Sequence, residues 1–126
     1  MYTENEVATI LVNIFYEVHK TLGPGLLESV YEEAICYELI QRNLAFQRQR
    51  GIPVNYKDIK LDMGFRADII VENCVIVEIK SIEALAPVHF KQVITYLRLT
   101  GIKLGLLVNF NSNLIKEGIK RVVNNL

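Results

Sequence analysis

The sequence contains little of the material from which several common functional sites are built. It has two cysteines, Cys36 and Cys74, too few for a disulfide framework or for a four-cysteine zinc or iron–sulfur site. This cysteine content is typical of a reducing compartment, so we expect a cytoplasmic protein. No stretch reaches the roughly 18 consecutive apolar residues of a membrane span. The opening MYTENEVATI also lacks the basic segment and cleavage site of a secretory signal, and we expect no membrane association.

The sequence also lacks the motifs of enzymes that bind nucleotides through a phosphate-binding loop and of enzymes that use a serine nucleophile with a histidine base. There is no glycine-rich phosphate-binding loop, and Ser29, Ser81 and Ser112 have no evident histidine partner. The chain has 126 residues, 51% of them hydrophobic, which fits one globular domain over residues 1–126 with a core of its own.

The net charge is zero, yet the two signs of charge are unevenly distributed. Residues 1–38 carry seven acidic residues and one basic residue, a net charge of −6, and residues 39–126 carry +6. Basic residues are concentrated early in the second segment: Arg42, Arg48, Arg50, Lys57 and Lys60. Such a surface could hold phosphate groups, although an ordinary solvated face explains the same charges.

The spacing of apolar residues predicts an α/β protein in the order α-α-β-β-β-α-β-α, with a mixed four-stranded sheet flanked by helices. Thr3 and Glu6 are spaced as a capping box at the start of the first helix. Pro87 opens the third helix and Gly101 follows its end, while Gly118 weakens the prediction of the last helix. The predicted helices are 3–22, 26–42, 87–100 and 112–126, and the predicted strands are 49–57, 63–72, 74–80 and 101–110.

Three charged residues, Asp68, Glu78 and Lys80, interrupt the apolar segment GFRADIIVENCVIVEIK at residues 64–80. Burying a charge is unfavourable unless the charge is paired or bound to a metal. Because side chains alternate along a strand, Glu78 and Lys80 share one face. Asp68 is expected to lie opposite a core face made of Phe65, Ala67, Ile69 and Val71.

The length of the hairpin loop decides whether Asp68 meets Glu78. A two-residue turn at residues 72–73 would pair Asp68 with Val77 and separate the two carboxylates. A three-residue loop at residues 72–74, or a bulge, would place Asp68 opposite Glu78 on the same side. A functional role for both acids therefore requires an odd-length loop or a bulge.

Two neighbouring carboxylates repel each other, and one takes up a proton unless a cation lies between them. Magnesium binds oxygen ligands and keeps several waters; it lowers the pKa of a bound water and neutralises charge on a phosphate under attack. A lysine beside it could orient that water or stabilise the transition state. The pattern by itself is weak, since an exposed hairpin face would carry the same charges.

Two helices contribute further polar residues. Glu28 falls in line with the apolar stripe of the second helix, although a first-turn glutamate is also favoured by the helix dipole. Gln92 and Tyr96 lie one turn apart on the third helix, on a face that also carries His89; a polar outer face explains them equally well. The stripe of the second helix is expected to contain Leu27, Val30, Tyr31, Ala34, Ile35 and Leu39.

Together these segments resemble the GxxExxY proteins, a branch of the PD-(D/E)xK nuclease superfamily with a RecB-like arrangement of motifs. The likeness runs through EVHKTLGPGLLESVYEEAICYEL, GFRADIIVENCVIVEIKSI, HFKQVITYLRLTG and GLLVNF. The name-giving motif corresponds to Gly25, Glu28 and Tyr31. The proline that names the superfamily is absent, since Ala67 precedes the aspartate.

The resemblance implies a restriction-endonuclease-like core and a magnesium- or manganese-dependent nuclease. Asp68 and Glu78, with the Ile79 carbonyl and Glu28, would bind the metal, and Lys80 would serve the attacking water. Gln92 and Tyr96 would position the substrate or Lys80. The residues that could follow a nucleic-acid backbone are Arg48, Arg50 and Lys57.

Two functions therefore remain open at this level. The first is a metal-dependent nuclease acting on nucleic acid, with DNA the expected substrate. The second is a catalytically silent module of the same fold that binds nucleic acid or a protein partner. Because the domain is minimal and uncharged overall, a homodimer or a larger complex could be needed to bind substrate tightly.

Overall fold

The computed structural model describes residues 1–61 and 65–126 in full, and residues 62–64 only by their place in a strand. The predicted second strand begins at residues 63 and 64, whose side chains lie outside this description. The elements are α1 Glu4–Leu22, α2 Glu28–Gln41, β1 Phe46–Tyr56, β2 Ile59–Val71, β3 Val75–Lys80, α3 Pro87–Thr100, β4 Leu104–Asn109, α4 Ile115–Gly118 and β5 Ile119–Val123. In the fully described ranges, no helix combines the length and apolarity needed to cross a bilayer.

The strands form one mixed sheet in the order β1-β2-β3-β4-β5. Strands β3 and β4 are parallel, with α3 as the crossover between them, and every other neighbouring pair is antiparallel. Strand β4 is buried along its whole length, as its lack of alternation predicts. The α/β class and the mixed sheet are therefore confirmed.

Two apolar layers enclose the sheet. One face packs against α1 and α2, with Phe15, Ile35 and Val77 among its fully buried residues. The other face packs against α3, with Ile76 and Val93 in its core. The sheet therefore has helices on both sides, and a residue of β3 points either to α1 and α2 or to α3.

The ends of the helices follow the sequence signals. Thr3 and Glu6 form the expected capping box at the start of α1, each side chain accepting the backbone N–H of the other. Helix α3 begins at Pro87 and is followed by Gly101, whose φ of 77° is a left-handed conformation that favours glycine.

The predicted C-terminal helix is wrong, and so is the strand count of four. Helix α4 ends at Gly118, and residues 119–123 form the fifth strand, antiparallel to β4. A Cβ on Gly118 would lie 2.4 Å from the backbone oxygen of Asn109, so the chain passes too close to β4 here for a larger residue. The following IKRVV is rich in β-branched residues, which favour a strand.

The buried stripe of α2 is shorter than predicted. Leu27 precedes the helix and is 76% exposed, and Val30 is 40% exposed. Tyr31, Ile35 and Leu39 are fully buried, as expected. The first turn of α2 therefore projects beyond the core, and Glu28 lies on that turn.

Candidate active site

A three-residue loop joins β2 to β3 and sets their register. Val71 pairs with Val75 and Ile69 with Val77, which leaves residues 72–74 in the loop and places Asp68 opposite Glu78. Glu72 and Asn73 adopt left-handed conformations, with φ of 51° and 53°. The odd-length loop required for a shared carboxylate site is confirmed.

The β2–β3 ladder ends at the pair Ile69–Val77, and beyond it the backbone amides of the two strands donate to carboxylates. The backbone N–H of Asp68 donates to Oε1 of Glu78 at 3.1 Å. The backbone N–H of Ile79 donates to Oδ2 of Asp68 at 2.8 Å. Each acid is therefore held by a backbone amide of the opposite strand, and both carboxylates occupy the gap where the strands separate.

The alternation of side chains along β2 changes at Asp68. Ile69 and Val71 pack under α1 and α2, but Ala67 packs with the α3 layer. The expectation that Phe65, Ala67, Ile69 and Val71 share one face is therefore wrong, since Phe65 also packs with the α3 layer. The change coincides with an irregularity in β1, where Gln49 opposite Asp68 has a φ of 52°.

Burial and mutual repulsion shape the electrostatics of the acid pair. Glu78 is only 3% exposed, and desolvation together with the charge of Asp68 raises its pKa to about 8. Desolvation also raises the pKa of Asp68, with Glu32 adding to the effect and the Ile79 amide opposing it. The pair therefore favours either a bound proton or a nearby cation.

Lys80 ends β3 two residues after Glu78 and shares its face of the strand. Its side chain is half-buried, and its charge lowers the pKa of both Asp68 and Glu78. Its own carbonyl accepts the Phe110 N–H at 2.9 Å. The predicted acid–acid–lysine group is thus brought together at one end of the sheet.

Glu28 reaches this end of the sheet from the first turn of α2. Its Oε2 accepts the backbone N–H of Ser81, directly after Lys80, at 3.1 Å. Its charge contributes to the raised pKa of Glu78. The side chain of Ser81 donates to the Leu26 carbonyl at 2.6 Å, so the loop before α2 and the end of β3 are tied together.

Tyr31 has a structural role within the same motif. Its hydroxyl donates to the Gly23 carbonyl at 2.6 Å and accepts the Leu26 N–H at 3.1 Å. Its ring stacks on Phe110 with centroids 4.4 Å apart. Tyr31 therefore holds the loop that presents Glu28.

Helix α3 brings Tyr96 and Gln92 toward the acids. Burial raises the pKa of Tyr96 to about 12, and the charges of Glu78 and Asp68 add to the rise, while a hydrogen bond with Gln92 opposes it. The Tyr96 ring packs edge-on against Phe65 at 5.7 Å. His89 instead accepts the Ala86 N–H through Nδ1 at 2.9 Å, so it caps the helix.

The basic residues differ in their surroundings. Nη2 of Arg48 pairs with Glu32 at 2.9 Å and with Glu33 at 2.8 Å. Arg50 hydrogen-bonds Gln47, and Lys57 at the tip of the β1–β2 hairpin lies 5.3 Å from the centre of the Tyr56 ring. Arg50 and Lys57 thus make no ion pair among the fully described residues, whereas the charge of Arg48 is already balanced.

Sequence reasoning missed two residues beside the site. Glu32 lies one helical turn after Glu28 and is buried, with 8% of its surface exposed. Gln49 donates hydrogen bonds to both Glu32 and Asp68. The i, i+4 spacing of Glu28 and Glu32 was a usable signal. Gln49 offered none, because its contacts with Glu32 and Asp68 join segments that are distant in sequence.

A family comparison agrees with this arrangement of strands and acids. A sequence model described as the PD-(D/E)XK nuclease superfamily matches residues 5–122. The chain belongs to the PD-(D/E)XK nuclease superfamily. The restriction-endonuclease-like fold is thereby confirmed, while the GxxExxY branch stays a prediction. No curated protein and no solved structure matches the chain.

PD-(D/E)XK nucleases generally use divalent metal ions, and the donor set here fits one. Asp68 and Glu78 supply carboxylate oxygens, the ligands that magnesium and manganese prefer. Desolvation raises the pKa of each acid and their proximity adds to the rise for Glu78, so a cation between them would favour their ionised forms. In residues 1–61 and 65–126, no three His, Cys, Asp or Glu side chains are grouped to hold a metal. An ion bound here would therefore keep several waters.

Proposed function

We propose that the protein is a metal-dependent nuclease that hydrolyses phosphodiester bonds of nucleic acid, with DNA as the first substrate to test. The observation that carries this proposal is the meeting of Asp68 and Glu78 in the gap between β2 and β3, beside Lys80. A hairpin with an even-length loop would have separated these acids.

Magnesium or manganese is the proposed cofactor, held by Asp68, Glu78 and the Ile79 carbonyl; Glu28 would have to leave the Ser81 amide to become a further ligand. When bound, such an ion neutralises charge on the phosphate and lowers the pKa of a coordinated water. The chain itself supplies the geometry, because the Asp68 and Ile79 amides hold the two carboxylates in place.

Lys80 is the residue proposed to act on the water. Its ammonium group lies on the same face of β3 as Glu78 and can donate hydrogen bonds to the attacking water or to the phosphate oxygen that gains charge. Tyr96 and Gln92 lie one turn apart on α3, and Tyr96 lies near enough to Glu78 and Asp68 for their charges to add to the rise that burial causes in its pKa. We propose that this pair positions Lys80 or the substrate phosphate.

The proposed nucleic-acid surface includes Arg50 and Lys57 of the β1–β2 strand pair. Neither makes an ion pair among residues 1–61 and 65–126, whereas Arg48 is engaged by Glu32 and Glu33 and is a weaker candidate. Because the net charge is zero, binding by one domain is expected to be modest, which leaves room for a homodimer or a larger complex. The free cysteines suit the reducing cytoplasm.

The test is cleavage of linear, nicked and single-stranded DNA and of RNA in the presence of Mg²⁺ or Mn²⁺. Asp68→Asn, Glu78→Gln and Lys80→Met are each expected to lower the rate at least about 100-fold, as removal of a group that stabilises the transition state does. Glu17→Gln, an exposed acid of α1, is the matched control and is expected to cleave normally. Equal rates in all four variants would contradict the proposal.

A silent binding module is the second candidate, and one observation favours it. Both carboxylates are already satisfied by backbone amides, so the fold does not require a metal to hold them. This candidate predicts saturable binding of nucleic acid or a protein without cleavage, and no heat from Mn²⁺ that depends on Asp68.

A further inference from the structure

Gln49 combines an unfavourable backbone conformation with a contact to the proposed site. It lies within β1 and has a φ of 52°, a left-handed conformation that is uncommon for a residue with a Cβ. Residues on either side of it, Arg48 and Arg50, pair regularly with Ile69 and Ala67 of β2. The interruption of the ladder at this point is therefore limited to Gln49 and to Asp68 opposite it, and a separate register shift lies between Ile52 and Val54.

The side-chain amide of Gln49 bridges two carboxylates. Nε2 donates to Oε1 of Glu32 at 2.7 Å and to Oδ1 of Asp68 at 3.3 Å. An amide nitrogen has two hydrogens, so it can make both bonds at once. The unusual conformation of the backbone is what directs this amide at both acids from the edge of the sheet.

Glu32 is a fixed anchor for that amide. Nε and Nη2 of Arg48 donate to Oε2 of Glu32 at 3.1 and 2.9 Å, which leaves Oε1 for Gln49. Arg48 is held in turn by Glu33 at 2.8 Å. The positive charge of Arg48 is balanced by these two acids. The group of this network that contacts Asp68 is therefore the uncharged amide of Gln49.

We infer that Gln49 is a positioning residue that fixes the orientation of the Asp68 carboxylate for metal binding, with Glu32 and Arg48 as its support. Oδ2 of Asp68 is held by the Ile79 amide and Oδ1 by Gln49, so rotation of the carboxylate is restrained at both oxygens. A lysine or arginine at this position would compete with a metal cation for the carboxylate. The uncharged amide of Gln49 does not. This inference rests on the proposed metal site.

The main variant is Gln49→Gly, which removes the amide and suits the left-handed conformation. Its Mn²⁺ affinity, measured by calorimetry, is expected to fall about 10-fold, the usual range for loss of a group that orients a metal ligand. Its melting temperature is expected to be unchanged or higher, because glycine relieves the backbone. A lower melting temperature with unchanged Mn²⁺ affinity would mean a purely structural role and would overturn the inference.

The matched control is Asn43→Gly. Asn43 has a φ of 59° and follows α2 away from the acids, so the same relief of the backbone occurs without loss of a site contact. Its Mn²⁺ affinity is expected to equal that of the wild type. A fall as large as that of Gln49→Gly would show that the affinity reports backbone changes in general and would overturn the inference.

Coupling to the anchor is tested with Glu32→Gln and with the Gln49→Gly/Glu32→Gln double variant. If Glu32 acts through Gln49, Gln49→Gly lowers Mn²⁺ affinity by a smaller factor in the Glu32→Gln background than in the wild type, whatever the lost charge of Glu32 does by itself. If the fold losses of the two single variants multiply in the double variant, the two residues act independently. That result would contradict the proposal that Glu32 supports Gln49.

A metal-free measurement separates this inference from the proposed function. The side-chain amide signals of Gln49, assigned by their loss in Gln49→Gly, are expected to show slowed exchange with solvent and to shift in Asp68→Asn. If the wild type binds no Mn²⁺, the proposed function fails and these signals alone decide whether Gln49 holds Asp68. If Mn²⁺ binds but the amide exchanges as freely as that of a glutamine without hydrogen-bond acceptors, the positioning role is overturned and the metal site stands.

Discussion

At the scale of single residues, the buried carboxylate of Glu78 dominates the chemistry of the site. Its pKa is raised to about 8, first by desolvation and then by Asp68. A metal-free protein at neutral pH therefore favours the protonated form of this side chain. Since a divalent cation favours the ionised form, proton and cation compete for the same pair of acids.

The raised pKa predicts how stability depends on pH. Between about pH 4.5, the ordinary pKa of a glutamate, and pH 8, folded Glu78 binds more protons than the unfolded chain does. The free energy of unfolding in EDTA is therefore expected to fall as pH rises through this window. Urea unfolding at pH 5, 6, 7 and 8 measures it.

Glu78→Gln is the control for that measurement, because it removes the titration and keeps the shape of the side chain. Its unfolding free energy is expected to change less over the same range. A wild-type protein that becomes more stable between pH 5 and pH 8 without metal would contradict the raised pKa.

At the scale of elements, the loop at residues 72–74 sets the register that joins the two acids. Deletion of Asn73 would leave a two-residue turn and pair Asp68 with Val77, moving the acids to opposite faces. We expect this deletion to abolish Mn²⁺ binding in calorimetry and to lower the melting temperature. Asn73→Gly keeps the loop length and suits the φ of 53°, so normal Mn²⁺ binding is expected; loss in both variants would contradict the register argument.

The junction between α4 and β5 depends on the absence of a side chain at Gly118. A Cβ there would meet the Asn109 backbone oxygen at 2.4 Å and Oγ of Ser112 at 2.6 Å. Gly118→Ala is expected to lower the free energy of unfolding by about 1–3 kcal/mol, as overpacking does. Gly51→Ala is the control, since a Cβ on Gly51 would meet no atom of the fully described residues within 4 Å; equal losses in urea unfolding would contradict this account.

At the scale of the whole molecule, the charge asymmetry of the sequence is partly cancelled by folding. Arg48 of the basic segment lies against Glu32 and Glu33 of the acidic segment. The basic surface available to a polyanion is thus smaller than the sequence predicts. Arg50 and Lys57 are the cations that we propose to contact phosphate.

This surface predicts the salt dependence of nucleic-acid binding. The double variant Arg50→Ala/Lys57→Ala is expected to bind DNA more weakly and to reduce the slope of log K against log salt by about 2, one for each lost phosphate contact. Fluorescence anisotropy at several salt concentrations measures the slope. Lys20→Ala, in the acidic segment, is expected to leave it unchanged; an unaltered slope in the double variant would place the interface elsewhere.

Much of the fold was predictable from local patterns. The capping box of α1, the start of α3 at Pro87 and the buried strand β4 follow from short-range signals. The end of the chain was not predictable, because residues 119–123 form a strand by pairing with β4, and β4 is separated from them in the sequence by the loop and α4. The exposure of Leu27 and Val30 was not predictable either. Their helical spacing does not indicate how far the start of α2 extends beyond the core.

The sequence by itself determined the superfamily, the α/β order and the acids and lysine available for chemistry, because each depends on residue type and short spacing. The tertiary structure decided the rest. It closed the hairpin with three residues, so that Asp68 faces Glu78, and it placed Gln49 in a left-handed conformation with its side-chain amide on Asp68. These outcomes depend on backbone geometry and on contacts between distant segments, which no local pattern of residues encodes.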